Sequence, residues 1–283
     1  MGKSTILNYF LNQKLSIISS KPQTTRDNIC GILSEDSYQI IFIDTPGIHR
    51  PRTALGKHMV SQAKQAYDDA DEIMVIVDAK EGITNDDRAV FKMLQSKQKK
   101  KYKWSAVLIN KTDLIKKQEL LPIIDTCRKY LDVDDYIPVS GLNGENLNIV
   151  WENIIKFIPS GPLYYPQEQL TDKNERYITA EMIREQVLKL CRQEIPHSVA
   201  VEVNLFKQNP GRKTLIEATV FTEHESQKKI IIGKEASMLK SIGCTSRAEI
   251  EKFLDRKVYL KLWVKVKQNW RKDPDFLQRL GYH

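Results

Sequence analysis

The chain opens with residues whose types and spacing suit the binding of a phosphate group. The run Met1-Gly2-Lys3-Ser4-Thr5 matches the second half of the pattern Gly-x-x-x-x-Gly-Lys-Ser/Thr. In the complete pattern, backbone N–H groups surround the nucleotide phosphates, the lysine neutralises their oxygens and the next hydroxyl binds Mg²⁺. We expect Lys3 and Ser4 to take the last two roles. Because the strand and first glycine of the pattern are not in the sequence, we expect a chain truncated within this loop rather than a lost function.

A second group of polar residues follows an apolar run. Residues 40–43 are all apolar, which is typical of a buried strand, and Asp44-Thr45-Pro46-Gly47 comes directly after them. Sheets of the doubly wound type bind ligands at the carboxyl ends of their strands. Asp44 could hold Mg²⁺ through water, and the N–H of Gly47 could approach a terminal phosphate, whose loss would release the following loop. The alternative is a strand followed by an ordinary Pro-Gly turn.

A third group could recognise a base. The apolar run at 105–109 ends in Asn110-Lys111-Thr112-Asp113, the pattern by which GTPases bind guanine. Asp113 could accept hydrogen bonds from the ring N–H and the exocyclic amine of guanine, whereas adenine has no matching ring donor. Asn110 and Lys111 would shape the base pocket. A further strand at 136–139 leads to Ser140-Gly141, where such proteins usually carry Ser-Ala.

The run Thr24-Thr25-Arg26-Asp27 lies where GTPases place a threonine that binds Mg²⁺ while the terminal phosphate is present. We assign this role to Thr25, with Thr24 as the alternative; an ordinary loop is the other interpretation. The expected metal ligands are Ser4, Thr25 and Asp44. The expected GTP-binding residues are Gly2, Lys3, Ser4, Thr5, Thr25, Asp44, Thr45, Pro46, Gly47, Asn110, Lys111, Asp113, Ser140 and Gly141.

Three of these runs together resemble the Era family of GTPases. They are Lys21-Pro22-Gln23-Thr24-Thr25-Arg26, Asp44-Thr45-Pro46-Gly47-Ile48-His49 and Asn110-Lys111-Thr112-Asp113. The resemblance extends over essentially the whole chain. It implies an α/β P-loop NTPase domain of the Ras-like type, with a doubly wound and mostly parallel sheet, followed by an α+β type II KH domain. It also implies action on the small ribosomal subunit near the 3′ end of its RNA, with GTP or GDP and Mg²⁺ as cofactors.

The second half of the chain changes character. A helix from about Ile178 to Glu194 is followed by strict alternation at residues 199–205, a turn at 209–211, a strand near 215–221, helical stretches at 237–241 and 247–254, and a final strand. This order resembles the type II KH fold, in which a Gly-x-x-Gly loop between two helices clamps a nucleic-acid backbone. The loop here has alanine in place of the second glycine, an obstacle only where positive φ is needed. The expected RNA-binding residues are Lys228, Lys229, Gly233, Lys234, Glu235, Ala236 and Lys240.

The last strand places Lys261, Trp263, Lys265 and Lys267 on the face opposite its apolar residues. A mixture of basic and aromatic side chains could hold RNA. Lysines also protect exposed edge strands against aggregation. The sequence leaves both interpretations open.

Composition limits the class of protein. The 283 residues carry a formal charge of +8, of which +6 lies in residues 161–283, and this favours a polyanionic partner, although anionic membranes would also be attracted. The four cysteines lie far apart, which argues against a zinc site or a disulfide framework and favours a reducing compartment. No apolar run approaches the roughly 18 residues of a membrane helix. We predict a GTPase domain at 1–160, a linker at 161–175 and a KH-type domain at 176–283. The basic run at 97–103 is expected to be a solvated loop.

Hydrolysis is expected to be slow. Ras-type GTPases orient the attacking water with a glutamine after the switch glycine, but this chain has Ile48 there, so the reaction would depend on another group, a monovalent cation or the ribosome. We assign no catalytic residue. Two rival functions remain: an RNA-binding scaffold that no longer hydrolyses GTP, and a signalling GTPase at a membrane surface. The expected location is the cytoplasm, or an organelle matrix (plastid or mitochondrion) if a transit peptide has been removed.

Overall fold

The computed structural model describes residues 1–282 except 20, 22, 49–50, 97–101, 192–197 and 209–210. Most of the basic run at 97–103 and of the turn at 209–211 therefore lies outside the described residues, as do Pro22 and His49. The contacts between residues divide the chain into two compact units. The first comprises Met1–Ser16, Asp27–Arg50 and Met59–Thr171, and the second Ile17–Arg26, Pro51–His58 and Asp172–His283.

Strands and helices alternate through the first part of the chain, as a parallel α/β sheet requires. In chain order they are α1 (Lys3–Phe10), β1 (Ile29–Ser34), β2 (Gln39–Asp44), α2 (Ala54–Asp69), β3 (Glu72–Asp78), α3 (Asn85–Ser96), β4 (Trp104–Asn110), α4 (Lys117–Tyr130), β5 (Asp135–Val139) and α5 (Leu147–Phe157). A short 3₁₀ helix, Thr112–Leu114, follows β4.

The register of the strands brings the predicted site residues to one edge. Strands β3, β4 and β5 are parallel, with Asp78 opposite Asn110 and Asn110 opposite Val139. The polar residues that follow β4 and β5 therefore leave the sheet side by side. Strands β1 and β2 form the antiparallel hairpin that the sequence predicts, with Ile29 opposite Asp44.

The first unit contains a gap in its sheet. The pair β1–β2 and the triplet β3–β4–β5 are separate sheets among the described residues. A cavity of about 1220 Å³ lies between β2 and β3, lined by Ile41 and Ile43 on one side and Ile73 and Val75 on the other. Lys3, at the start of α1, also lines it.

Strand β4 is the centre of the hydrophobic core. Val107, Leu108 and Ile109 are all completely buried, and alternate residues of a strand point to opposite faces. Accordingly, Leu108 belongs to a cluster that includes α1, β2 and α5, whereas Val107 and Ile109 belong to one with residues from α2, α3 and α4. Burial on both faces explains why the strands read as continuous apolar runs.

The second unit contains a three-stranded sheet and its helices. Its elements are α6 (Glu175–Leu190), β6 (Ala200–Lys207), β7 (Thr214–Thr222), α7 (Glu225–Ile232), α8 (Ser237–Leu254), β8 (Val258–Val266) and α9 (Pro274–Arg279). The strand order is β6–β7–β8, with β6 antiparallel and β8 parallel to β7. This is the order of elements in a type II KH domain.

One local prediction is wrong. The two expected helical stretches at 237–241 and 247–254 are a single helix, α8. Between them, the hydroxyl of Thr245 donates a 2.9 Å hydrogen bond to the carbonyl of Ser241 within the helix. A Cβ at Gly243 would meet only Leu262, at 3.7 Å. Tertiary packing therefore outweighs the weak helix propensity of this segment.

Candidate nucleotide-binding site and nucleic-acid interface

Helix α1 begins at a position that only glycine can occupy. Gly2 has φ of +97°, and a Cβ there would lie 2.3 Å from Nδ2 of Asn110. The carbonyl of Gly2 accepts the first helical hydrogen bond, from the N–H of Ile6 at 3.1 Å. The first N–H groups of a helix and its dipole favour an anion at this end. The local geometry therefore suits a phosphate directly ahead of Lys3.

Asn110 joins two loops of the site. Its Nδ2 donates a 2.7 Å hydrogen bond to the carbonyl of Met1, and its Oδ1 accepts a 2.8 Å hydrogen bond from the N–H of Gly141. The side chain is almost completely buried. Asn110 thus fixes the start of α1 to the loop after β5 and shapes the pocket by holding its walls.

Lys111 is held by a carboxylate that the sequence analysis did not identify. It has φ of +69°, and its ammonium contacts the carboxylate of Asp78. Burial would raise the pKa of Asp78, but the ammonium of Lys111, together with the amino group of Met1 and the N–H of Glu81, lowers the pKa below its ordinary value. Asp78 ends β3, so the strand-end argument that selected Asp44 would also have found it.

Asp113 lies where a base could reach it. It is in the 3₁₀ helix after β4 and is exposed. Its Oδ1 accepts a 2.6 Å hydrogen bond from the hydroxyl of Ser140, which orients the carboxylate. An ionised carboxylate only accepts hydrogen bonds, so it selects a base edge with adjacent donors, as guanine has.

Close packing explains why glycine, rather than alanine, follows Ser140. An alanine Cβ at Gly141 would lie 2.9 Å from Cγ1 of Ile6, in α1, and 3.3 Å from Oδ1 of Asn110. The usual Ser-Ala pair would therefore require the side chain of Ile6 to move. The departure from the common pattern reflects close packing at this point of the site.

Ser4 and Asp44 meet, as a magnesium site requires. The hydroxyl of Ser4 donates a 2.7 Å hydrogen bond to Oδ2 of Asp44. A hydroxyl and a carboxylate are oxygen ligands of the kind that Mg²⁺ prefers, with water and phosphate completing its coordination. Burial lowers the pKa of Lys3, and the carboxylate of Asp44 opposes this effect. These residues fit a Mg²⁺–nucleotide complex.

The segment after Asp44 is loosely packed at its glycine. A Cβ at Gly47 would meet no atom within 4 Å, so packing in this conformation does not require glycine there. Thr45 and Pro46 line the same cavity as Lys3. Ile48 is half-buried and has no group that could orient water. No general base is evident among the described residues of this segment.

Thr25 lies in a segment that packs within the second unit. Residues 17–26 belong to the second unit, where Arg26 donates a 2.6 Å hydrogen bond to the carbonyl of Val199 and lies 5.5 Å from the ring of Trp270. Arg184 donates to the carbonyl of Thr24 at 2.5 Å. Thr25 itself is buried. Its role as a magnesium ligand therefore remains a prediction for the triphosphate-bound state.

The loop between α7 and α8 has the backbone of a phosphate clamp. Gly233 has φ of +72°, and a Cβ there would lie 2.8 Å from Cβ of Met238. Ala236 has φ of +59° and Glu235 has φ of +51°. The alanine therefore occupies a left-handed position that glycine adopts without strain. The left-handed conformation of Ala236 therefore has a cost in backbone energy.

The predicted lysines lie around this loop with different exposure. Lys229, Lys234 and Lys240 are exposed and could contact phosphates. Lys228 is half-buried, with its ammonium 3.6 Å from the carboxylate of Glu225. Lys228 is therefore the least available of the four.

The described parts of the chain contain no metal-binding cluster, disulfide bond or membrane-spanning helix. They contain no group of His, Cys, Asp and Glu that could by itself hold a metal ion, and none of the four cysteines forms a disulfide bond. No described helix is both long and apolar enough to cross a membrane.

Two family models match the chain. The model described as "50S ribosome-binding GTPase" matches residues 1–111, and that of the KH domain matches residues 194–271. Among curated proteins, the chain is 42% identical over 284 residues to GTPase Era of Syntrophus aciditrophicus (strain SB), covering all of this chain and 92% of that protein. It is 41% identical over 282 residues to GTPase Era of Clostridium botulinum (strain Hall), covering all of this chain and 94% of that protein.

Solved structures agree with these matches. The fold is similar to that of a variant of Aquifex aeolicus Era bound to GDP and AlF₄⁻, with a TM-score of 0.92 and 38% identity, over 99% of this chain and 95% of that one. It is also similar to Era in complex with MgGDPNP and nucleotides 1506–1542 of 16S ribosomal RNA, with a TM-score of 0.93 and 38% identity, over 99% and 94% of the two chains. The chain therefore belongs to the Era family of GTPases, with a P-loop GTPase domain followed by a KH domain.

Proposed function

We propose that this chain binds GTP, hydrolyses it slowly, and binds small-subunit ribosomal RNA through its KH domain during assembly of the small ribosomal subunit. The observation that carries the nucleotide part is the position of Asn110. Its side chain links the start of α1 to the loop of Ser140, which in turn orients Asp113. Phosphate-binding and guanine-binding groups are thus built into one hydrogen-bonded frame.

The magnesium ion would be held by Ser4, Asp44 and nucleotide oxygens. When bound, the ion neutralises charge on the phosphates. Lys3 would contribute its ammonium to the same oxygens. The lowered pKa of Lys3, caused by burial, is expected to return toward its ordinary value when phosphate charge is nearby.

Slow hydrolysis follows from Ile48. A side chain without donor or acceptor cannot position the attacking water. We propose that a monovalent cation or the ribosome provides the assistance to hydrolysis that Ile48 cannot provide. GTP hydrolysis would then act as a timer: the GTP-bound form associates with ribosomal RNA, and loss of the terminal phosphate releases the segments around Thr25 and Gly47 and ends the association.

The RNA partner follows from the loop at Gly233 and the exposed lysines beside it. A member of the family has been solved with a segment of 16S ribosomal RNA, which supports the same class of partner here. We propose that the protein works wherever small subunits of this type are assembled, in the cytoplasm or an organelle matrix.

Phosphate release from GTP tests this function. We expect slow turnover that requires Mg²⁺, increases when K⁺ replaces Na⁺, and increases again with an RNA of the 16S 3′ end. Ser4→Ala should abolish the Mg²⁺-dependent turnover, whereas Ser61→Ala, at an exposed position of α2, should not change it. GTP binding without any turnover, with RNA binding intact, would instead support the non-hydrolysing scaffold.

A further inference from the structure

The two faces of the sheet β6–β7–β8 are covered differently. Ile216, Ala218 and Val220 of β7 are completely buried on one face. The alternate residues Leu215 and Glu217 are half-buried on the other face. We call this second side the outer face. Three rows of side chains cross this face, each with one residue from β6, one from β7 and one from β8. In that order, the rows are Lys207, Leu215 and Tyr259; Leu205, Glu217 and Lys261; and Glu202, Thr219 and Trp263.

Helix α9 covers only one end of the outer face. The ring of Phe276 packs edge-on against Phe221, with centroids 5.0 Å apart. Arg279 of the same helix donates two 2.7 Å hydrogen bonds to the carboxylate of Glu202. The rows that contain Tyr259 and Lys261 lie farther along the strands, and these two side chains are exposed.

Strand β8 alternates aromatic and basic residues along the outer face. Tyr259, Lys261, Trp263 and Lys265 are two residues apart and therefore point to the same side. Tyr259 is 55% exposed. The ammonium of Lys261 lies 4.5 Å from the ring centroid of Trp263. The tryptophan ring is thus already used as a platform for a cation, which could be exchanged for a flat base while the lysine moves to a phosphate.

The charge of the outer face favours a polyanion. Its basic residues are Lys207, Lys261, Lys265, Lys267 and Arg279, and its acidic residues are Glu202, Glu217 and Asp273. Arg279 neutralises Glu202 and Lys267 neutralises Asp273, which leaves three lysines against a single carboxylate. Aromatic rings and lysines in a row along one strand match the stacking and phosphate contacts by which proteins hold single-stranded nucleic acid.

We propose that the outer face is a second binding surface for single-stranded RNA, separate from the loop at Gly233–Ala236. Bases stack on Tyr259 and Trp263, and Lys261 and Lys265 contact the phosphates between them. The loop at Gly233 joins α7 and α8, which pack on the sheet from the buried side. One RNA molecule could therefore bind this domain at two places, with its backbone at the loop and its bases on the sheet.

Tryptophan fluorescence of the whole chain tests the stacking. Trp104 and Trp270 are completely buried, whereas Trp151 and Trp263 are half-buried. Trp151 belongs to α5 of the GTPase domain, so RNA on the outer face should act on Trp263. A single-stranded RNA 12-mer of mixed sequence is expected to quench the emission, and Trp263→Phe should remove that quenching while leaving the urea unfolding midpoint unchanged. Tyr259→Ala should weaken binding about tenfold, the loss expected for one stacked base.

The lysines are tested by the salt dependence of the same binding. Lys261→Ala combined with Lys265→Ala should reduce the slope of log K against log salt by about 1.4, or about 0.7 for each phosphate contact on a single strand. The matched control is Lys64→Ala combined with Lys117→Ala, two exposed lysines of the GTPase domain. An identical slope in both double variants would overturn the proposal and leave these lysines as protection of an edge strand.

A loop variant separates this proposal from RNA binding at the KH loop. Lys229→Glu combined with Lys234→Glu reverses two exposed charges beside Gly233. The quenching of Trp263 should persist in this variant, although total affinity falls. Loss of quenching together with loss of loop binding, or no quenching in the original chain, would show that RNA is held at the loop alone.

Discussion

The backbone N–H of Gly141 donates a 2.8 Å hydrogen bond to Oδ1 of Asn110, and Nδ2 of the same residue donates to the carbonyl of Met1. A single buried amide therefore sets the distance between the base-binding and phosphate-binding ends of the site. The same side chain would lie 2.3 Å from a Cβ at Gly2. The asparagine and this glycine consequently depend on each other.

Replacing the amide should affect both folding and binding. Asn110→Ala leaves the carbonyl of Met1 and the buried N–H of Gly141 without this partner. The expected loss is about 1–3 kcal/mol in the free energy of unfolding, with a much weaker affinity for GDP because both loops are released. Urea unfolding and titration with a fluorescent GDP analogue measure the two effects.

Asn153→Ala is the matched control. The amide of Asn153 also donates to a backbone carbonyl, that of Ile149 at 3.1 Å, but on the exposed side of α5. It should change stability by less than about 0.5 kcal/mol and leave GDP affinity unaltered. Equal effects of the two substitutions would refute the linking role of Asn110.

Replacing Ala236 in the KH loop by glycine should increase both the stability of the protein and its affinity for RNA. Ala236 has φ of +59°, which costs an alanine roughly 1 kcal/mol or more relative to glycine. Ala236→Gly should therefore raise the free energy of unfolding, even though glycine gains entropy in the unfolded chain. RNA affinity should rise as well, because a phosphate can approach the loop more closely. Urea unfolding and RNA titration check both results.

The same substitution elsewhere in the domain gives the control. Ala248 is exposed in the middle of α8, where replacement by glycine should lower stability by about 0.5–1 kcal/mol. The free energy of unfolding should therefore rise in Ala236→Gly and fall in Ala248→Gly. A loss of stability in both variants would mean that the backbone at Ala236 is not strained.

A carboxyl group beside the gap in the sheet should make stability depend on pH. Burial raises the pKa of Glu72 to about 7, and the carboxylate of Asp71 adds to this effect. Since the unfolded chain releases this proton near about pH 4.3, the stabilising contribution is fully present below that pH and is lost as pH rises through about 7. Glu72→Gln should remove the loss and increase the free energy of unfolding at pH 8 by about 1 kcal/mol, a value reduced for the screening of a half-exposed side chain.

Urea unfolding at pH 4.5 and at pH 8 measures this difference. Glu72→Gln should change little at the lower pH. Glu152→Gln, at an exposed position of α5, serves as the control and should have the same small effect at both values. A benefit from Glu72→Gln that is equal at the two pH values would exclude titration of Glu72 as its cause.

How far the sequence predicts the site depends on the type of reasoning. Apolar runs that end in polar residues located Asp44 and Asn110, because parallel strands bring such residues to one edge. The same reasoning applied to β3 would have found Asp78. Contacts between distant segments were not predictable in this way: nothing local signals that Arg26 donates to the carbonyl of Val199.

Backbone conformation is predictable from the sequence only where residue type decides it. Gly2 and Gly233 have positive φ, as glycine allows at low cost. Ala236 also has positive φ, although alanine disfavours it, because the loop between α7 and α8 is fixed by its neighbours. The continuous helix α8 has the same explanation, since packing against the sheet outweighs the propensities of residues 243–245.

The gap between β2 and β3 leads to a prediction about the effect of adding a strand ahead of Met1. Met1 and Lys3 line the cavity, so a segment joined ahead of Met1 would enter it. We expect that about six apolar residues, followed by a glycine and three further residues, would pair with both strands and complete the phosphate-binding pattern at Gly2. Affinity for GDP should increase at least about tenfold, and the melting temperature should rise as apolar surface is buried.

An extension of equal length made of glycine and serine is the control for that prediction. It provides the loop but cannot fill an apolar cavity or form a stable strand. It should leave the melting temperature unchanged. If both extensions raise GDP affinity equally, the cavity has no part in nucleotide binding.

The specificity of Asp113 tests the central claim most directly. We would measure competition of GDP, XDP and ADP against a fluorescent guanine nucleotide, in the chain with the apolar extension and in its Asp113→Asn variant. The asparagine amide has a carbonyl that can accept from the ring N–H and an NH₂ group that can donate to the carbonyl that xanthine has in place of the amine of guanine. The account predicts a preference for GDP that falls about 10- to 100-fold in the variant, from about 1.5–3 kcal/mol for hydrogen bonds to a charged group, with XDP then preferred. A variant with the same order of preference as the parent, or a parent that does not distinguish GDP from ADP, would contradict it.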